Sequence, residues 1–365
     1  MRAIPAAAAD SKGWAKSPWQ TSRVTSPSGV DSHKDVHVAA VIDQVGQILA
    51  TTSMATTDRG SGQLVRWAQR HGQVDRFGVE GTGSFAAGLT RYLRARGYQV
   101  LEVNRPNRQT RRRRGKSDTV DAESAARAAL AGQASTPKAA DGTVEMIRAL
   151  RVARRSAIKA RTQAANQLDS LVITAPEELR VQLRGLATAR RVEVAAAFRP
   201  GSLTTPVAAT KLALRELARR HLALTAELER LDTELAKLVR KAAPKLVARR
   251  GVGTEVAGRL LVAAGDNPDR LRSEAAFAHL CGAAPIEASS GKTVRHRLNR
   301  GGDRQANNGL WVTAMCRMHS DQRTKDYVAR RTKEGKSKKE IIRCLKRYIA
   351  RELYRDLATA VLDKP

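Results

Sequence analysis

Apolar residues follow two different periods in this chain, and the change near residue 130 limits what it can fold into. Before it, Val36 to Ile48 alternates and is rich in β-branched residues, the mark of a hairpin of strands turning around Asp43–Gly46. Order begins at Gly29-Val30-Asp31, and Arg76–Glu80 and Gln99–Val103 read as further strands. Helical spacing covers Ser61–Arg70 and Phe85–Arg96. The first 130 residues therefore read β-β-β-α-β-α-β-α, an α/β mixed sheet with helices on its faces.

Beyond the change only helical spacing remains. Ile147, Leu150, Ala157, Ala164, Leu168 and Leu171 share one face. After a break at Pro200-Gly201, Leu217, His221, Leu224, Leu228, Leu231, Leu235 and Leu238 fall 4, 3, 4, 3, 4 and 3 apart. That is an a/d seam over about three heptads. An antiparallel hairpin within the chain and a coiled coil between subunits both satisfy it, with His221 as a polar register residue. Pro244 to Leu261 then reads helix, tight Gly251-Val252-Gly253 turn, helix, an element of helix-hairpin-helix type. Its glycines let backbone N–H groups approach a phosphate. A loop at 282–300 and helices near Asp303–Arg317 and Ser337–Leu357 complete the chain. The expected division is a mobile basic arm over 1–28, an α/β domain over 29–140, a helical spacer over 141–243 and a mostly α-helical domain over 244–365.

The 365 residues carry 66 Lys plus Arg against 35 Asp plus Glu, a net charge of +31, and 48 of the basic residues are Arg. The excess is larger than solubility asks of a surface, and Arg is the better bidentate partner for phosphate oxygens. A polyanion is implied, nucleic acid first and an anionic membrane surface second. No run of about 18 apolar residues exists for a spanning helix. The first 20 residues hold an alanine cluster but no hydrophobic core for export. Cys281, Cys316 and Cys344 are odd in number and lack ligand spacing, which suits reduced thiols in a cytoplasm. Aromatic content of 4% argues against recognition by base stacking.

Four carboxylates carry the strongest chemical signal. Asp31 and Glu80 end strands, and Asp118 and Asp121 lie three apart at the start of a helix, on one face. Hard cations demand oxygen ligands, and two Mg2+ ions about 4 Å apart can bind both sides of a scissile phosphate. Just before that helix Arg105, Arg108, Arg111, Arg112, Arg113, Arg114 and Lys116 occur with no acid among them, an expected phosphate-backbone clamp. A second basic loop holds Ser289-Ser290-Gly291-Lys292 with Arg295, Arg297, Arg300 and Arg304 behind it. A serine there is either a turn residue or a nucleophile whose target phosphate the cations hold. Three other patterns carry less. Gly81-Thr-Gly83-Ser-Phe-Ala86 matches a dinucleotide fingerprint, but the charge and the lack of a second nucleotide-binding half oppose it. Gly291-Lys292-Thr293 ends like a P-loop, yet Ile286 stands where that motif needs Gly. His33 and His37 have zinc spacing only if helical, and in strands they stand too far apart.

Taken together these blocks resemble the DEDD insertion-sequence transposases, the group that includes the Piv-type invertases and the bridge-RNA-guided serine recombinases. The resemblance spans residues 28 to 357 and rests on Gly29-Val30-Asp31-Ser-His-Lys34, Gly78-Val79-Glu80-Gly-Thr-Gly, Lys116-Ser117-Asp118-Thr-Val-Asp121-Ala and Pro285 to Arg304. It implies a RuvC-like, RNase H-fold domain whose acids hold Mg2+, and a second transposase domain with a catalytic serine directly before Gly, here Ser290 with Ser289 adjacent. It further implies attack of that serine on a DNA phosphate through a phosphoserine intermediate. Donor and target duplex DNA, a structured guide RNA and a homo-oligomer, dimer or tetramer, are the implied partners. Two other readings compete. A RuvC-like structure-specific nuclease would use the acids and water and not need Ser290. A non-catalytic nucleic-acid-binding protein would be indifferent to Mg2+.

Overall fold

The structure, a computed structural model, describes residues 27–103, 117–267, 271–293 and 296–362. The chain forms two compact units, one ending at Pro137 and one beginning at Lys138. The basic arm up to residue 26, the run Arg105, Arg108, Arg111 to Arg114 and Lys116, and Arg295 lie outside the described residues.

In the N-terminal unit, β1 (Ser28–Ser32), β2 (Val36–Ile42) and β3 (Ile48–Ala55) form an antiparallel meander. The Asp43 carboxylate closes the β2–β3 turn by accepting from the Val45 and Gln47 amides. β4 (Arg76–Glu80) adds parallel to β1 and β5 (Gln99–Val103) parallel to β4, giving the order β3-β2-β1-β4-β5. α1 (Asp58–Gln69) begins three residues before the helical spacing suggests, because the Thr57 hydroxyl caps it by accepting from the Gly60 amide. α2 (Ala87–Arg94) begins later than expected, since Gly81 turns the chain with φ 73° and accepts from the Ser84 amide. α3 (Asp118–Leu130) is capped by Ser117. Side chains alternate across a strand. Val30, Phe77 and Val79 therefore share one face with Leu64, Leu89 and Leu93 of α1 and α2 in a single core. Gly29, Asp31, Gly78 and Glu80 belong to the other face. The mixed sheet with its helices is compatible with a RuvC-like fold.

The C-terminal unit is helical. α4 (Thr143–Thr174) and α7 (Pro206–Ala242) run antiparallel, with Arg154 bonded to Asp232 near one end and Leu168 sharing a cluster with Leu214 near the other. The apolar seam is thus used within the chain. Leu228 and Leu235 are buried, and Leu214, Ala218 and Val239 join them as a straight 3.6-residue helix drifts off the heptad. α5 (Glu177–Leu183) and α6 (Thr188–Ala196) close the outer end with Leu179, Leu183, Val192 and Ala195. The other end of the pair, through Ile147 and Val239, joins a larger core. That core is built by α8 (Pro244–Val247), α9 (Thr254–Ala264), α10 (Glu274–Leu280), α11 (Arg304–Ser320) and α13 (Lys338–Leu362). α12 (Gln322–Lys333) packs outside it. The Gly251-Val252-Gly253 turn joins α8 to α9 as expected, with Gly251 at φ 76°. α8 is a single turn, shorter than a helix-hairpin-helix element would give. Among the described residues no helix is long and apolar enough to cross a membrane.

Candidate active site

Two glycines fix where the acids stand. Gly29 and Gly78 are register partners on β1 and β4. A β-carbon on Gly29 would lie 2.1 Å from the Ala122 carbonyl oxygen, and one on Gly78 would lie 2.5 Å from that of Ala125. α3 therefore rests on bare sheet backbone through Ala122, Ala125, Ala126 and Ala129, all buried. Two residues further along each strand, on the same face, come Asp31 and Glu80. One turn back along α3 come Asp121 and Asp118. The motifs Gly-Val-Asp and Gly-Val-Glu thus join a seat for the helix to a carboxylate beside the helix N-terminus.

Asp31 and Asp121 are each 6% exposed, Glu80 is half-buried and Asp118 is exposed. Burial pushes the Asp31 carboxyl above its ordinary range, His33 pulls it down, and the carboxylates of Glu80, Asp121 and Asp118 push it up. The carboxylates of Glu80, Asp121 and Asp118 thus all act on Asp31. His33, in the β1–β2 turn, places Nε2 3.1 Å from Asp31 Oδ2 and 3.3 Å from Asp118 Oδ1. The Asp31, His33 and Asp118 ligand atoms lie within 4.8 Å of one another. A donor set rich in mutually repelling carboxylates fits a divalent cation. His37 is 2% exposed in β2, while His33 sits in the exposed β1–β2 turn. Burial, then His33, lowers the His37 pKa.

Ser290 stands at the tip of a short arm. β6 (Ile286–Glu287) pairs antiparallel with β7 (His296–Arg297), and Ser290 and Thr293 exchange backbone hydrogen bonds of 3.1 and 3.0 Å. Gly291 takes φ 56° at the first central position of the turn, where two-residue hairpins favour glycine. Ser289, Ser290, Lys292, Arg297, Arg300 and Arg304 are exposed. The Ser290 hydroxyl has no hydrogen-bond partner among the described residues. The foot of the arm is anchored. Asn307 donates to the carbonyls of Cys281 and Gly282, and the buried Lys346 ammonium donates to Asn307 Oδ1 at 3.0 Å. Sequence reasoning missed Lys346, whose helical position looks like any surface lysine. It rejected His33 as a zinc ligand and weighed it for nothing else.

A family model described as a transposase of DEDD type and the IS110 group matches residues 28–175. A second, described as the transposase IS116/IS110/IS902 family, matches residues 245–329. A 95-residue stretch is 33% identical to the "insertion element IS110 uncharacterized 43.6 kDa protein" of Streptomyces coelicolor. The stretch covers 26% of this chain and 23% of that protein. Both matching models are described as transposases. The chain belongs to the IS110 family of insertion-sequence transposases, as its four motif blocks suggested.

Proposed function

We propose that the protein catalyses transposition by Mg2+-dependent DNA cleavage and strand exchange through a phosphoserine intermediate. The closeness of Asp31 and Asp118 at the start of α3, with Glu80 and Asp121 acting on Asp31, supports the reading. These four would hold two divalent ions. A metal bound there supplies positive charge against the phosphate and helps ionise an attacking hydroxyl. Ser290 is the nucleophile: its Oγ–P bond forms as the scissile P–O bond breaks. The Oγ proton is lost, and the departing deoxyribose oxygen takes one up. Reversal with a new strand end exchanges strands without net hydrolysis. Support comes from the exposed hydroxyl at the hairpin tip, which has no hydrogen-bond partner among the described residues. Lys292, Arg297, Arg300 and Arg304 hold the phosphates nearby, with a structured guide RNA selecting donor and target and a homo-oligomer holding two duplexes.

The test is a nicked duplex trapped on denaturing gels. Wild-type protein should leave a covalent protein–DNA adduct that Ser290→Ala eliminates. Asn or Gln at any of the four acids should abolish cleavage while DNA binding stays within a few fold. An adduct that persists in Ser290→Ala but vanishes in Ser289→Ala moves the nucleophile by one residue. Water-terminated ends without any adduct would establish the nuclease instead.

A further inference from the structure

We propose that His33 is itself a ligand of the divalent ion at the carboxylate site, and that it tunes the site toward Mn2+ over Mg2+. This rests on the carboxylate reading above and adds a nitrogen to it.

The backbone fixes where the imidazole stands. His33 follows β1 directly, and its amide donates to the Val36 carbonyl at 3.1 Å, tightening the turn into β2. Thr56 straps the same turn from β3's end: its amide donates to the Asp35 carbonyl at 3.1 Å and its hydroxyl to that of Lys34 at 2.9 Å. Nε2 is thereby held between two carboxylates from different elements, Asp31 of β1 at 3.1 Å and Asp118 of α3 at 3.3 Å. Ligands at neighbouring corners of an octahedron with bonds of about 2.1 Å stand about 3 Å apart. Both spacings are those of adjacent positions in one coordination sphere.

The chemistry of the cluster points the same way. An imidazole nitrogen offers one hydrogen or one lone pair. A hydrogen on Nε2 serves one of the two oxygens well, and a lone pair there serves neither. A cation among the three atoms serves all of them. The His33 and Asp118 side chains are 48% and 53% exposed against 9% for Asp31, so solvent reaches the open side of the group. Imidazole suits first-row transition ions, whereas Mg2+ holds to oxygen ligands. A site of carboxylates alone would not separate Mn2+ from Mg2+ in this way.

The experiment loads the full-length protein with Mn2+ and records electron spin-echo envelope modulation, with Mg2+ affinity measured by competition. Wild-type protein should show modulation from a directly bound imidazole nitrogen. His33→Gln should abolish it, weaken Mn2+ binding about tenfold and leave Mg2+ binding nearly unchanged. Mn2+ that depends on Asp31, being lost in Asp31→Asn, yet shows no nitrogen modulation, overturns the role of His33 and leaves the carboxylate site standing. So does modulation that survives His33→Gln, or an equal loss of both ions. Mn2+ that fails to bind, or binds Asp31→Asn as well as wild type, overturns both readings.

Discussion

The β-carbon that Gly29 lacks would enter the backbone of α3, so the seat of the helix and the position of Asp121 are set together. Gly29→Ala must push the helix off the sheet, and overpacking of this kind costs about 1–3 kcal/mol. We expect a lower thermal midpoint and loss of divalent-ion binding in the same variant, read by calorimetry with and without Mn2+. Asp121→Asn should separate the two effects. Three carboxylates already push the buried Asp31 away from ionisation, so removing one charge relieves repulsion in the metal-free protein. Metal binding should fall while the metal-free midpoint stays level or rises. A midpoint that drops as far as in Gly29→Ala would make Asp121 a packing residue rather than part of the site. The acids were legible in the sequence because strand ends and an i, i+3 pair leave a pattern. The glycines beside them stood in the same motifs, but their role appears only when β1, β4 and α3 meet.

Elements were legible where their surroundings impose a period. Arg76–Glu80 and Gln99–Val103 are strands over those very residues, and the meander turns at Asp43 as read. α12 left no such signal, since Thr324 is its only residue described as buried and a solvated helix shows no apolar stripe. β6 and β7 are two residues each, too short for alternation to show. Their arm depends on its foot, where Lys346 of α13 holds Asn307 of α11. Burial, then Arg343, lowers the Lys346 pKa from 10.5. Between the lowered value and 10.5 the unfolded chain binds more protons at this site than the folded one, so the group's contribution to stability rises with pH across that window. Below it, the charged ammonium is buried at a cost that Lys346→Met removes. The stability of Lys346→Met relative to wild type should therefore fall as pH climbs toward 10.5, by urea unfolding. A difference that does not change with pH would show that the lysine titrates normally. The same variant should speed amide exchange at Cys281 and Gly282, because Asn307 loses the ammonium that orients it.

On the scale of the whole molecule, 35 acids can neutralise at most 35 of 66 bases, so a surplus of 31 positive charges needs an outside counter-ion. Many arginines in the C-terminal unit are already spoken for: Arg151 of α4 pairs with Glu255 of α9, Arg317 of α11 with Glu352 of α13, and Arg249 of the turn after α8 with Asp356 of α13. Such pairs serve the fold and should contribute little to a phosphate contact count. The run from Arg105 to Lys116 has no acid within it, and we expect it to contact phosphate. Binding to duplex DNA should then weaken linearly in log affinity against log salt, with a slope of about −0.9 per phosphate neutralised. Replacing Arg111, Arg112, Arg113 and Arg114 by Gln should flatten that slope by about 3 to 4 units and leave the thermal midpoint unchanged. Replacing Arg249 and Arg317 should do the reverse, lowering the midpoint with little effect on the slope. Fluorescence anisotropy on one duplex across a range of NaCl concentrations reads both sets. A slope unmoved by the fourfold replacement would assign the Arg run to solvent and transfer the DNA backbone to other cations, the hairpin arm's Lys292, Arg297 and Arg300 first among them.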